Sequence, residues 1–516
     1  VLGMMGQLSS CDYLDIVPDE RAQESDTWKT EGAVRGYLYS CYGYLPANRT
    51  FGNSYWLAEE LTAVTKELFT TFKYGYYSPV SLGFTSNTWS TIWNGIHQCY
   101  MFQESLKQVS NEYVTDEMKK QYLAESNFLI AYYHFLSMRS YGPTMIIRSV
   151  IDLETPISGF PERSSIDEVV AFINEKLDEA MSEGGLPTTW SGKDYGRATR
   201  LAALALKSRV YLYAASPLYN GNTEMYADFR SPLDGRQLIA QEKSQAKWEI
   251  SATQTKYAID EVEKAKFHLY HDADAGEPSD AKPGLPNKAQ RRLRYTNIDN
   301  QTGNNPEIIW ADTRNDDYYG IQRRCPPRQT LGGKFAGISM TNCPTLQTIE
   351  AFYTKNGLPI NKDKTFDYDE RYEYISAPEN CDGNNYEDLV KYANFTPSSD
   401  KVMRLCTDRE PRFYAWTTYH NGYFEFGKYN NEEISADPAK RAIRIHLLRD
   451  DPHGRGNRTD QEYSISGFGN KKGVVPSAEW NVIEYPFPLF RLAELYLNYA
   501  EALVELDRLS EAKVYL

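Results

Sequence analysis

The chain has 516 residues, with 56 Lys and Arg against 70 Asp and Glu, which gives a net charge of −14. This acidic balance argues against non-specific nucleic-acid binding, which needs a basic face. A hydrophobic content of 41% and a charged content of 24% are typical of a globular protein, and no run of 18 apolar residues is present to span a bilayer as a helix. The 40 tyrosines and nine tryptophans exceed what a core needs.

The N-terminal segment indicates export. Residues 1–10 carry no charge and are apolar or small, which we interpret as the remnant of a secretory signal. Leu8-Ser9-Ser10-Cys11 fits a bacterial lipobox, in which Cys11 becomes the lipidated first residue of the mature protein. The alternative is an ordinary buried cysteine. Residues 11–25 then form an acidic, lipid-anchored tether.

The other six cysteines show no CxxC motif and no Cys/His cluster, so they do not predict a zinc site. Six cysteines allow 15 pairings, among which the sequence does not choose. We expect mostly buried thiols, with a bridge between Cys325 and Cys343 as the alternative.

Apolar residues at helical spacing predict a series of helices. Asp26 or Thr27 is the expected cap of the first of them. The predicted segments are Trp28–Leu45, a helix that carries Trp89 and Trp93, Met118–Tyr141, Ile166–Met181, Arg197–Ala215, Trp248–Lys266 and Phe490–Leu506.

The last helix fits tetratricopeptide spacing, with Tyr496, Tyr499, Ala500 and Leu503 at its large and small positions. Hairpins of this kind stack into a curved solenoid. The sequence stops within the second helix of that hairpin, so we expect a truncated repeat there; the alternative is that the packing ends in an unusual way.

Between residues 271 and 485 Pro, Gly, Asn and Asp become frequent, and only short strand-like runs occur, such as Glu307–Trp310 and Ala442–Ile445. We predict a helical-repeat part over 26–270, an irregular ligand-facing lobe over 271–485 and repeat helices over 486–516. The whole of 26–516 is expected to form one integrated, mainly α domain.

An ordered set of motifs resembles the SusD/RagB family, the surface lipoproteins of Bacteroidota that partner TonB-dependent transporters. The matching stretches run nearly from end to end. They are Cys11–Asp15, Trp89–Ile96, Leu123–Tyr133 leading to Tyr141-Gly142-Pro143, Gly196–Ala198 with Arg209–Ala214, Asn305–Ile309, Asp408–Arg412 and Arg491–Ala502. Two departures concern local salt bridges: Asn127 and Ile130 stand where the family often has Arg, and Glu410 where Asp is usual.

The resemblance implies a right-handed superhelix of tetratricopeptide-like hairpins with a large irregular lobe that contains short strands. It also implies an outer-membrane lipoprotein at the cell surface that works with a SusC-like TonB-dependent transporter. Its expected role is the capture of an oligosaccharide or polysaccharide for import, without bond cleavage and without a cofactor.

Sugar rings have apolar faces that match Tyr and Trp, while amide, guanidinium and carboxylate groups meet their hydroxyls. Two polar, ring-rich loops, 72–79 and 314–324, are therefore the predicted binding site; for each tyrosine the alternative is a packing residue with a bonded hydroxyl. Trp89 and Trp93 share a helix face and also suit a scaffold role. The predicted ligand-binding residues are Tyr74, Tyr76, Tyr77, Asn87, Trp89, Arg314, Tyr318, Tyr319 and Arg323.

Motifs for catalysis are lacking: the sequence has no HExxH, no GxSxG and no GxxxxGK[ST]. We therefore predict no enzyme, no catalytic residue and no metal site. A metal site at His268 and His271 with Asp272 and Asp274 is the alternative to a polar helix end that runs into a loop.

Four functions remain open from sequence. Glycan capture is favoured, and capture of peptides or other nutrients in the same kind of transport system is the alternative. A hydrolase and a scaffold without a ligand are the remaining two. The acidic charge disfavours polyanionic ligands such as heavily sulfated glycans.

Overall fold

The structure is a computed structural model that describes residues 28–46, 59–63, 78, 85–152, 154–275, 288–299, 305–314, 321–327, 340–376, 401–425, 442–451, 453–456, 463–475 and 485–516. Within helices and strands, residues 85–87, 288, 323, 423, 425 and 442–444 are described by their backbone alone. The chain divides into two compact units. The first comprises Val1–Leu45, Thr91–Pro187 and Gly221–Glu242, and the second comprises Pro46–Ser90, Thr188–Asn220 and Lys243–Leu516.

Helices dominate, as predicted. The α-helices are Glu31–Tyr42, Thr85–Leu106, Asp116–Tyr141, Ile166–Ala180, Arg200–Ala215, Thr223–Tyr226, Gln245–Lys264, Lys288–Tyr295, Ile321–Arg324, Leu346–Ala351, Pro411–Trp416, Leu492–Glu505 and Leu509–Ala512. Short 3₁₀ turns lie at Ile157–Gly159, Gly192–Asp194, Arg404–Cys406 and Lys513–Tyr515. Among the described residues, none of these helices is both long and apolar enough to cross a bilayer.

Side-chain caps set the starts of the main helices. Thr30, Thr115 and Thr199 each accept a hydrogen bond from a backbone N–H in the first turn. Ser165 and Glu168 form a reciprocal capping box. The predicted cap of the first helix, Asp26 or Thr27, was wrong: both residues lie outside the described part of the chain, and the helix begins at Glu31 with Thr30 as its cap.

In the first unit, Asp116–Tyr141 packs against Glu31–Tyr42 and Ile166–Ala180. Tyrosine hydroxyls join the first two helices: Tyr42 donates to Glu125 at 2.6 Å and Tyr133 donates to the Cys41 carbonyl at 2.5 Å. Both tyrosines therefore act as packing residues whose hydroxyls are hydrogen-bonded.

In the second unit, Gln245–Lys264 packs between Arg200–Ala215 and Leu492–Glu505. Three buried polar side chains link the three helices: Ser208 bonds Thr255 at 2.8 Å, and Asn498 donates to Ser208 at 3.1 Å. Small residues in Arg200–Ala215 permit this close approach, as the sequence predicted.

The strands pair antiparallel, two by two, in the described part of the chain. The longest pair is Ile308–Asp312 with Phe487–Arg491. Phe490 and Arg491 therefore belong to a strand, not to the predicted helix, because they hydrogen-bond with Ile308–Trp310 before the helix begins at Leu492. The other pairs are Leu61–Thr62 with Cys343–Pro344, Thr144–Met145 with Arg163–Ser164, Tyr374–Ser376 with Lys401–Met403, Thr417–Thr418 with Gly469–Asn470, and Tyr423–Glu425 with Ala442–Arg444.

The described cysteines are buried thiols. Cys325 and Cys343, the conceivable bridge, are both reduced, as are Cys41, Cys99 and Cys406. Cys11 and Cys381 lie outside the described residues.

Candidate functional site

The predicted binding loops fall largely outside the described structure. Tyr74, Tyr76, Tyr77, Tyr318 and Tyr319 lie outside the described residues. Asn87 lies in the helix Thr85–Leu106 and Arg323 in the short helix Ile321–Arg324, but neither side chain is described. Their roles in binding remain predictions.

Two predicted site residues have described side chains. Trp89 is half-buried on the helix Thr85–Leu106. Arg314 follows the strand Ile308–Asp312 and folds back on it: its Nη2 donates to the Asp312 carboxylate at 2.7 Å and to the Pro46 carbonyl at 3.1 Å. Since Asp312 is almost fully buried, the Arg314 guanidinium stabilises that carboxylate and ties down the start of the predicted loop.

A groove with an aromatic wall lies in the second unit. A cavity of about 480 Å³ adjoins another of about 360 Å³, and the two share Asn297, Trp416, Lys472 and Arg491. We call this the Trp416 groove. The larger cavity is further lined by Glu60, Leu61, Ile321, Pro344, Thr348, Phe352, Thr417, Asn470, Gly473, Tyr485, Phe487 and Pro488. Ile321 is also the first described residue after the loop that carries Tyr318 and Tyr319.

Trp416 ends the helix Pro411–Trp416, and two bonds fix it in place. Its indole Nε1 donates to the Leu293 carbonyl at 3.3 Å, and its own carbonyl accepts from the Lys471 N–H at 2.8 Å. The Lys472 ammonium lies 4.6 Å from the centre of the ring, a cation–π contact. One face of the indole therefore carries a positive charge.

Lys472 is exposed over much of its length, yet its ammonium end lies within the groove. Desolvation there lowers the pKa of Lys472 below its ordinary value, and the positive charge of Arg491 lowers this pKa further. The Asn470 side chain holds the turn, because its Oδ1 accepts from the Lys472 N–H at 3.1 Å. The backbone of Lys472 is therefore fixed, and a polar ligand would gain by pairing with the desolvated ammonium above the Trp416 ring.

Arg491 forms the other cationic side of the groove. Its Nη1 donates to the buried Glu307 carboxylate at 2.6 Å, and the second oxygen of Glu307 accepts from the Tyr270 N–H at 2.9 Å. This pairing fixes the guanidinium in one orientation. Aromatic surface with amide, ammonium and guanidinium donors around it suits a sugar, whose hydroxyls alternate with apolar ring faces.

Sequence reasoning missed this groove. Trp416 follows the motif Asp408–Arg412 by only four residues, and Arg491 opens the motif Arg491–Ala502, yet neither was singled out for binding. Their nearness to conspicuous motifs is the signal that was available. What joins them is tertiary packing, since Asn297, Trp416 and Arg491 are far apart in the chain.

Two family models match the chain at its two ends. The one described as "SusD family" matches residues 306–516, and the one described as "Starch-binding associating with outer membrane" matches residues 12–212. The chain belongs to the SusD/RagB family. The motif resemblance found in the sequence is thereby confirmed.

Solved structures agree with the SusD/RagB assignment. The protein BT4246 is similar at 27% identity with a TM-score of 0.75, over 94% of this chain and 81% of that one. A SusD-like protein from Bacteroides fragilis is similar at 20% identity with a TM-score of 0.64, over 96% and 79%. A SusD-like carbohydrate-binding protein from the same species has 18% identity and a TM-score of 0.53, over 93% and 75%. No curated protein matches this chain.

Within this SusD/RagB chain, the departures noted in the sequence have clear local consequences. Glu410 forms a local salt bridge, because its Oε2 accepts from Arg412 Nε at 2.6 Å. Asn127 accepts a hydrogen bond from Gln103 at 2.8 Å, and Ile130 is fully buried. The family match itself supports a glycan-binding role and an association with the outer membrane.

Proposed function

We propose that this protein is a cell-surface lipoprotein, anchored through Cys11, that captures an oligosaccharide or polysaccharide and passes it to a SusC-like TonB-dependent outer-membrane transporter without cleaving a bond. The observation that carries the proposal is the match of the two family models, one at each end of the chain, including the one described as starch-binding. Capture of a peptide or another nutrient in the same kind of system is the alternative.

The Trp416 groove supports a sugar ligand. A pyranose stacked on the indole would bury the apolar face of the sugar ring, which is favourable by about 25 cal/mol per Å² of apolar surface removed from water. Because Lys472 covers one face of the indole, a sugar ring would stack on the other face or replace the ammonium. The donors of Asn297 and Arg491 would then meet its hydroxyls.

Calorimetric titration of the purified protein with a panel of neutral and acidic oligosaccharides tests the ligand class. We expect Trp416→Ala to weaken binding of the best glycan by about fivefold to tenfold, which corresponds to about 1–1.4 kcal/mol of lost apolar contact with the sugar ring. Trp190→Ala is the matched control, because Trp190 also donates its Nε1 to a carbonyl (Ala198, 2.9 Å) and lies under a cation (Arg197, 4.2 Å) in another cavity.

The predicted loops are tested in the same titrations with the double variants Tyr76→Ala/Tyr77→Ala and Tyr318→Ala/Tyr319→Ala. If these lose affinity while Trp416→Ala binds normally, the loops form the site and the groove does not. Binding of peptides with no response to any glycan would favour the alternative function. Release of soluble sugar from a polysaccharide by the purified protein would contradict the non-catalytic proposal.

Lipidation and the transporter partner need cellular experiments. We expect wild-type protein expressed in a Bacteroides host to incorporate labelled palmitate and to co-purify with a TonB-dependent transporter. Cys11→Ser should remove the label, whereas Cys41→Ser, which changes a buried thiol, should keep it. Labelling that persists in Cys11→Ser would refute the assigned anchor.

A further inference from the structure

Three side chains with metal-binding chemistry meet in the second unit, and none of them lines the Trp416 groove. One ring nitrogen each of His420 and His446 and one carboxylate oxygen of Asp451 lie within 4.8 Å of one another. They line an open cavity of about 460 Å³ together with Asn421. We propose that this cluster, the His420–Asp451 site, binds a divalent transition-metal ion such as Zn²⁺.

The backbone brings the ligands together. Asn421 has a positive φ of 64°, and its N–H donates to the Ile445 carbonyl at 2.6 Å, while the Ile445 N–H donates to Gly422 at 2.9 Å. These two bonds place residue 420 beside residue 446. The left-handed conformation is one that Asn tolerates better than most residues.

A tight turn returns Asp451 to the same place. Its Oδ2 accepts from the Leu448 N–H at 2.9 Å, and its own N–H donates to the Leu448 carbonyl at 3.0 Å. His453 then fixes the position of His446, because its Nδ1 accepts from the His446 N–H at 2.9 Å. Hydrogen bonds from main-chain N–H groups to carbonyls and to these side chains thus hold the outline of the site without an ion.

Asn421 provides an independent indication of a cation. Its side chain is only 4% exposed, and its Nδ2 donates to the Lys401 carbonyl at 2.6 Å, which fixes the amide. Its Oδ1 is buried and accepts no hydrogen bond from the described residues. A buried carbonyl oxygen normally has a donor, and a metal ion in the cavity would satisfy it.

The ligand chemistry favours a borderline ion over Ca²⁺ or Mg²⁺. Two imidazoles with one carboxylate suit Zn²⁺ and other first-row metals, whereas Ca²⁺ takes oxygen ligands alone. With metal–ligand bonds of about 2.0–2.2 Å, tetrahedral ligand atoms lie about 3.4 Å apart, so separations that reach 4.8 Å here must shrink by up to about 1.4 Å. Asp451, whose side chain is 30% exposed, has room to move.

Two features weaken the site relative to a permanent structural zinc. His420 Nδ1 lies 3.5 Å from Asp451 Oδ2 and already accepts a hydrogen bond from the Leu447 N–H at 3.0 Å. An ion bound to this nitrogen would have to break that hydrogen bond. Lys401 lines the same cavity and adds a positive charge. We therefore expect reversible binding.

Calorimetric titration of metal-stripped, full-chain protein with ZnCl₂ tests the proposal, and visible d–d absorption with Co²⁺ reports the coordination geometry. We expect one site. His420→Ala and His446→Ala should each weaken Zn²⁺ binding by about 100-fold or more. Mutation of residues that only hydrogen-bond to a metal ligand already lowers affinity by about 10–100-fold. Circular dichroism without metal checks that each variant folds.

Matched variants keep the test decisive. The double variant His268→Ala/His271→Ala is the control, because these two stacked rings also have an aspartate beside them (His268 Nε2 to Asp274 Oδ1, 3.4 Å). This double variant should bind Zn²⁺ like the wild type. Asn421→Asp, which keeps a residue tolerant of positive φ and adds a negative charge, should bind at least about tenfold tighter. The Asn421→Asp variant tests the proposal if the histidine variants do not fold.

The proposal is overturned if wild-type protein shows no Zn²⁺ heat and no Co²⁺ spectrum at millimolar metal. It is equally overturned if folded His420→Ala and His446→Ala proteins bind as well as the wild type, or if only the control double variant loses binding. No change in affinity in Asn421→Asp would also contradict it.

Discussion

The helix Asp116–Tyr141 and the irregular region around Arg409 bury backbone in opposite ways. Every residue of the helix from Ala124 to Met138 is buried, yet its N–H and C=O groups bond one another within the helix. Its few buried polar side chains are bonded one by one: Glu125 accepts from Tyr42 at 2.6 Å, and Ser137 bonds Thr144 at 2.7 Å.

The region around Arg409 has only short helices, so its buried carbonyls need other donors. Arg409 is 3% exposed and donates to the carbonyls of Leu405 at 2.6 Å, Ile349 at 2.8 Å and Phe352 at 2.6 Å. A planar guanidinium with five donors is the side chain best suited to this task. Regular backbone can therefore be buried because its N–H and C=O groups bond one another, whereas buried irregular backbone depends on a few side chains with several donors.

Loss of Arg409 should have the largest effect. Arg409→Met leaves several buried carbonyls without donors, each at about 1–3 kcal/mol, so we expect destabilisation of about 4 kcal/mol in urea unfolding. Arg409→Lys, which keeps the charge and fewer donors, should lose about half of that. If Arg409→Met lowers the free energy of unfolding by less than about 1 kcal/mol, Arg409 does not have this structural role.

The buried His134 makes the helical region sensitive to acid. Burial lowers its pKa to about 4 from 6.5, and the ring is held neutral between the Ile130 carbonyl at 2.8 Å and the Ile147 N–H at 3.3 Å. The unfolded chain therefore takes up the proton first, and stability falls as pH drops from about 6.5 to about 4. The loss attributable to this group is about 3 kcal/mol.

Unfolding free energies measured between pH 7 and pH 4 check this sign. The variant His134→Gln, which does not titrate, should lose less stability over the same pH range, even if it is less stable at pH 7. An equal decline in both proteins would show that other groups cause the acid sensitivity.

Close helix packing is tested at Gly95. A Cβ at this position would lie 2.9 Å from the Tyr133 ring and 3.0 Å from the Tyr44 Cβ. We expect Gly95→Ala to destabilise by about 2 kcal/mol, since overpacking outweighs the gain in helix propensity. Gly36→Ala, with nothing within 4 Å, should stabilise by up to about 1 kcal/mol in the same thermal unfolding assay.

The smallest effect is expected at a helix end. Ser165 caps Ile166–Ala180 and exchanges hydrogen bonds with Glu168, so Ser165→Ala should cost about 1 kcal/mol. Ser182→Ala, which removes a hydroxyl that bonds the Glu179 carbonyl at 2.7 Å beyond the end of the same helix, is the control and should cost less. Equal losses in chemical denaturation would argue against the capping box.

The sequence determined the helical segments, because apolar periodicity and capping chemistry are local. Ile166–Met181 was predicted within one residue of its observed bounds, and Met118–Tyr141 within two. The periodicity missed that Asp116–Tyr141 is buried on all sides, since a stripe such as Ala124, Phe128 and Ala131 marks only one face. The family, too, was readable from an ordered set of motifs.

Tertiary structure alone decided the sites. The Trp416 groove joins Asn297, Trp416 and Arg491, and the His420–Asp451 site needs the bonds between residues 421 and 445 to bring two histidines together. Irregular segments carry no periodic signal, and their contacts are long-range. Their chemistry therefore becomes visible only once hydrogen bonds between distant parts of the chain have fixed which side chains meet.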